Sequence, residues 1–149
     1  YSSLGDTYNE IKDYGNSDNY FEQALKIDSN NVIVLNNYAY YLSIRGEKLE
    51  KAKKMSYKAN SLEANNGTYQ DTYAWVLYQQ KNYPEAKVWI NKAIENDGYK
   101  SAVILEHYGD ILYKLGEIKN ALDQWRKALI LDPESDSLKQ KIKDEKIYE

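Results

Sequence analysis

Five series of residues recur along the chain at intervals of 34 or 35 positions, and they agree in register over four copies. Gly5, Ala39, Ala74 and Gly109 form one series, and Ala24, Ala59, Ala93 and Ala128 a second. Phe21, Ser56, Ile90 and Trp125 form a third; Leu4, Tyr38, Tyr73 and Tyr108 a fourth; Tyr8, Leu42, Leu77 and Leu112 a fifth. A period of this length marks a supersecondary unit that cannot bury its apolar face alone and stacks on its neighbours.

The period inside each repeat is helical. Leu105, Tyr108, Leu112 and Leu115 share one helix face; Ile118, Ala121, Leu122, Trp125, Ala128 and Leu129 form a second. Gly116-Glu117 breaks the pattern between them, and Asp132-Pro133 ends the second run, because proline disfavours helix in the residue before it. Asp28-Ser29-Asn30-Asn31, Asn65-Asn66-Gly67 and Asp97-Gly98 are turn and N-cap residues between repeats. Each repeat therefore reads helix, turn, helix, turn. Helices are expected near 1–11, 17–28, 32–45, 48–62, 68–80, 84–96, 101–115, 118–131 and 136–147, with no sheet. The small residues mark close helix approach, with Trp125 filling the gap beside Gly109 and Ala121.

Tyr1-x2-Leu4-Gly5-x2-Tyr8, followed by Phe21 and Ala24, resembles the tetratricopeptide repeat signature, as does Leu105-x2-Tyr108-Gly109-x2-Leu112 with Ala121, Trp125, Ala128 and Pro133. The resemblance covers about residues 1–134. It implies an all-α fold: a right-handed superhelical solenoid of four helix-turn-helix repeats, at about 1–30, 31–65, 66–99 and 100–134, in a single domain 1–149. A polar capping helix over 136–148 is expected to dock Leu138 and Ile142 on the fourth repeat and to leave Lys139, Lys141, Lys143 and Lys146 in water. The departures are Ser17 in place of a small alanine, one extra residue in 46–52, Ser56 in an aromatic position and Gln70 in an apolar one.

Composition excludes several chemistries. The chain has 149 residues, no cysteine and one histidine, so disulfides, cysteine-based metal sites and multi-histidine sites are ruled out. A net charge of −3 argues against a nucleic-acid partner. No apolar run approaches the roughly 18 residues of a membrane span. No Gly-rich phosphate cradle, nucleophile elbow or metal cluster is present, so neither an enzyme nor a cofactor is expected. The chain begins at Tyr1 without a methionine and is expected to be a piece of a longer protein.

The resemblance implies that first helices line a concave groove. The residues expected there, pointing away from the packing face, are Asn36 and Tyr40, Asp71, Trp75 and Tyr78, and Glu106, Asp110 and Tyr113. Tyr40 and Trp75 are expected side by side, with Asn36, Asp71 and Glu106 as a parallel polar row. Some members of the family grip acidic chaperone tails with groove lysines, arginines and asparagines. Here Asp6, Asp71, Glu106 and Asp110 take those places, so the expected partner is a neutral to basic peptide segment with apolar anchors. Residues 45–60 carry six basic and two acidic side chains, expected on a solvated convex face. Asn66-Gly67-Thr68 matches a glycosylation sequon that reads better as a turn. His107 is expected to be a polar groove or interface residue.

The functional expectation is a protein–protein interaction scaffold or adaptor. The alternative is a regulatory or sensory module of a larger enzyme or transcription factor. Self-association is a third class, since an uncapped solenoid end exposes apolar surface. The tyrosine-, lysine- and asparagine-rich style resembles bacterial members of the family, many of them exported or envelope-associated.

Overall fold

The computed structural model describes residues 1–148, and among them there are helices and turns but no strand. The chain divides after Ala64 into two compact bodies. The first holds α1 (Ser2–Glu10), α2 (Tyr14–Ile27), α3 (Val32–Arg45) and α4 (Leu49–Leu62). The second holds α5 (Gly67–Gln79), α6 (Tyr83–Glu95), a single 3-10 turn over Gly98–Lys100, α7 (Ala102–Lys114), α8 (Ile118–Leu131) and α9 (Asp136–Asp144). Consecutive helices pair as α1 with α2, α3 with α4, α5 with α6 and α7 with α8, and α9 packs on α8.

Side-chain caps set most starts. Asn31, Asn66, Ser101 and Ser135 each accept from the backbone N–H three residues on, at Val34, Tyr69, Ile104 and Leu138. Asn66 is thus an N-cap within the sequon. Asp13 caps the Asn16 N–H, which starts α2 at Tyr14, three residues before the expected 17. At the other end Glu145 turns into the left-handed region (φ 53), so α9 stops at Asp144 rather than 147.

In the first body Phe21, Tyr38, Leu42, Ala39, Ala52 and Ala59 are fully buried. The Phe21 and Tyr38 rings stack at 5.3 Å, and the Tyr38 hydroxyl donates to Glu22. Ser17 earns its small-residue position: its hydroxyl donates to the Gly5 carbonyl at 2.7 Å. The Arg45 guanidinium forks onto Asp18 at 2.8 and 3.1 Å. On α4, Lys51 pairs with Glu22 and Lys58 reaches the Ser29 carbonyl, while Lys54 is exposed.

In the second body a Cβ on Gly109 would lie 2.4 Å from the Trp125 ring and 3.1 Å from the Ala121 carbonyl oxygen. The indole therefore sits directly on the glycine backbone. Trp125 is fully buried in one cluster with Leu105, Leu112, Leu122 and Leu138, and Ile142 packs against its edge. Gln70 is buried and accepts from Asn96 at 3.0 Å. The capping helix corrects one expectation: Lys141 does not face water. Its side chain is only 12% exposed, because two carboxylates on α7 draw its ammonium inward.

Candidate functional site

Of the eight residues expected in the groove, Asn36 and Tyr40 lie on α3 in the first body. Asn36 is buried, and its amide donates to Asn37 at 3.3 Å. Tyr40 is half-buried, 6.2 Å ring to ring from Tyr41. The Tyr41 hydroxyl donates to Asp6 at 3.1 Å, so Asp6 is also engaged internally.

The other six lie on α5 and α7, and the structure gathers them around an ionic network. His107 on α7 meets Asp71 on α5 through Nδ1 at 2.8 Å, with both side chains about nine-tenths buried. Burial opposes a charge on His107, but the Asp71 carboxylate, backed by Asp110 and Glu106, outweighs it and raises the histidine pKa. Asp110 accepts from the Trp125 indole N–H at 3.1 Å and from Lys141 at 2.9 and 3.1 Å. Burial raises the Asp110 pKa even so. Glu106 takes the same ammonium at 2.7 Å and the Ser137 hydroxyl at 3.1 Å. Lys141 is itself held above its ordinary value: burial opposes the charge, but Asp110 and Glu106 outweigh it. Asp71, Glu106 and Asp110 are therefore each engaged within the body, Asp71 by His107 and the other two by Lys141.

The aromatic residues form a pile. Trp75 lies between His107, at 3.9 Å, and Tyr78, at 4.3 Å, with the rings nearly parallel. The edge of Tyr83 follows at 5.4 Å from Tyr78. Both faces of Trp75 are thus covered within the body. Tyr113 instead tilts toward Trp125 at 6.0 Å. Beside the pile is a cavity of about 610 Å³ lined by Trp75, Tyr78, Tyr83, Asp110, Lys81, Lys114 and Gln79 from the repeats and by Ser137, Lys141, Ile147 and Tyr148 from the C-terminal segment. That volume falls in the range of ligand and side-chain pockets.

The sequence reading missed Tyr83, Lys141 and the C-terminal wall. Tyr83 had a signal: Tyr14, Leu49, Tyr83 and Ile118 are the first residues of α2, α4, α6 and α8, a sixth series at the same spacing. Lys141 had a weaker one, its place on the same face of α9 as Leu138 and Ile142. Among the described residues no group of three or more acidic, histidine or cysteine side chains could hold a metal ion. No described helix is long and apolar enough to cross a membrane.

Three solved structures are similar in fold. PilF of Pseudomonas aeruginosa superimposes with a TM-score of 0.85 at 22% identity, over 97% of this chain and 65% of that one. This chain thus spans less than two thirds of PilF. MamA matches with a TM-score of 0.75 at 19% identity, over 97% and 78% of the two chains. The first TPR domain of Spaghetti (RPAP3), bound to the HSP90 peptide SRMEEVD, matches at 0.70 and 17%, over 79% and 92%. No curated protein matches the chain. Tetratricopeptide repeat models match residues 1–31, 20–54 and 102–135. With the repeated helical hairpins described above, these matches establish that the chain belongs to the tetratricopeptide repeat family.

Proposed function

We propose that the chain is a protein-interaction module that holds a partner's peptide segment on its first helices, and that it has no catalytic role of its own. The observation that carries this reading is the aromatic-walled cavity on the second body, beside Trp75, Tyr78 and Tyr83. Rigid rings bury a large apolar side chain at low entropic cost, and aromatic anchors dominate binding energy at interfaces. A peptide-bound relative, the RPAP3 domain, gives the fold precedent. The anchor residues proposed on the second body are Trp75 and Tyr78, with Asp71, Glu106, Asp110 and Tyr113 beside them; on the first body, Asn36 and Tyr40 of α3 are proposed as contact residues in their own right. The partner proposed is a neutral to basic segment with apolar anchors.

A phage-displayed library of random peptides, selected against the chain, supplies the probe. The best peptide is titrated against wild type, Trp75→Ala, Tyr40→Ala and Lys54→Ala, with helicity checked by circular dichroism. Trp75→Ala is expected to weaken binding by about 1 kcal/mol or more, and Lys54→Ala to leave it unchanged. If Lys54→Ala weakens binding while Trp75→Ala does not, the site lies on the basic face of α4 instead.

A further inference from the structure

We propose that α9 is a built-in occupant of a helix-binding face on α7 and α8, and that this face takes a partner's amphipathic helix bearing a leucine followed three residues later by a lysine or arginine. The proposal rests on the interaction reading above and deepens it: it names the occupant of the part of that surface formed by Glu106 and Asp110.

The first support is the charge in the socket. Glu106 and Asp110 converge on the single ammonium of Lys141, at 2.7 and 2.9 Å. The Asp110 side chain is only 7% exposed. A buried carboxylate stripped of its cation is strongly unfavourable. When α9 leaves, water reaches both carboxylates, and any occupant that covers the face again has to bring a cation. A guanidinium carries the same single charge as the ammonium, and its fork of donors can serve both carboxylates at once.

The second is the small size of α9, whose hold rests on Leu138, Ile142 and the Lys141 ion pairs. It has nine residues, and a helix of that length is marginal in water on its own. Leu138 is its one buried residue; Lys139, Gln140 and Lys143 are exposed. The four residues 132–135 tether it to α8 at high local concentration, which a displacing helix has to overcome with added contacts. A longer partner helix with the same leucine and cation makes the same contacts and extends them. The third is continuity: Ser137 and Lys141 wall the cavity described above, so removing α9 opens that cavity further.

The probe is a fluorescent peptide of residues 132–148, titrated by anisotropy against full-length wild type and full-length Leu138→Asp, in which α9 is unseated. Leu138→Asp is expected to bind at least tenfold more tightly than wild type, because the internal competitor is gone. A probe carrying Lys141→Glu is expected to bind at least tenfold more weakly. A probe carrying Lys141→Arg, distinguishable by mass, is expected to speed amide exchange in α9 of wild type as it saturates. If Leu138→Asp loses helicity, full-length Lys141→Gln takes its place under the same criteria. The proposal is overturned if the unseated chain does not bind, if the Lys141→Glu probe binds equally well, or if α9 stays protected at saturation. It is also overturned if light scattering shows Leu138-intact chains exchanging α9 as dimers, which makes a second copy the occupant. Loss of the cavity reading leaves this probe's lysine dependence intact, and loss of this proposal leaves the library peptide's dependence on Trp75 intact.

Discussion

A side chain in the left-handed backbone region costs about 1–2 kcal/mol that glycine avoids. Lys12 and Lys81 sit there, with φ of 62° and 64°, in the turns between the two helices of a hairpin. Gly46 and Gly116 occupy the same register, with φ of 69° and 83°. Every hairpin turn thus demands one left-handed residue, and two of the four supply it with lysine. Lys48, at φ 47°, absorbs the extra residue of the second repeat. The glycines were legible as breaks in the apolar pattern, whereas a lysine gives no sign of its φ. Lys12→Gly should stabilise the first body by about 0.5–1 kcal/mol, after allowing for the greater backbone freedom of glycine when unfolded. A urea midpoint that rises with unchanged slope would show it. At Ser56 the question is the hydroxyl: it is fully buried without a hydrogen-bond partner. Ser56→Ala should gain about 1 kcal/mol, the cost of a desolvated, unpaired polar group, and the same urea experiment reads it.

Between paired helices, volume is traded across the hairpin. Where the first helix presents glycine the second presents a large ring: Gly5 faces Phe21 at 2.6 Å from a notional Cβ, and Gly109 faces Trp125 at 2.4 Å. Where the first helix presents Ala39 or Ala74, the residue in register on the second is Ser56 or Ile90. Gly109→Ala should therefore cost about 1–3 kcal/mol through overpacking. On a Trp125→Ile background, which imitates the Ala74 and Ile90 pairing, the same change should cost much less. A double-mutant cycle by urea denaturation should give a coupling of at least about 1 kcal/mol; additive single effects would contradict the packing. Both series were visible in the sequence. Their exchange of volume was not, because spacing shows which positions recur and not which side chains touch. Lys141 was misjudged for a related reason. On α9 alone it belongs to a charged, water-facing set, and the carboxylates that draw it inward lie 31 and 35 residues upstream.

At the level of the whole chain, the two bodies should respond to pH in opposite ways. In the first body, burial works against the Glu22 carboxylate, but Lys51 and the Tyr38 hydroxyl outweigh it and hold its pKa below the ordinary value. A depressed carboxylate contributes stability above its unfolded pKa and loses it as pH falls, so this term changes only in acid. In the second body His107 is raised above 6.5 by Asp71 against the opposing effect of burial. A raised histidine contributes stability that is fully present below its unfolded pKa and is lost as pH rises through the folded value. The Asp110 pKa, raised by burial, acts in the same direction at lower pH. Hydrogen exchange followed from about pH 6 to 9, corrected for intrinsic rates, should therefore show α5, α7 and α9 losing protection while α1 to α4 hold theirs. His107→Gln should abolish this slope, since glutamine does not titrate. It should also lower protection of the second body at pH 6 by about 3–5 kcal/mol, because Asp71 is left as a buried carboxylate without its cation. Equal loss of protection in both bodies, or an unchanged slope in His107→Gln, would move the sensor elsewhere in the chain.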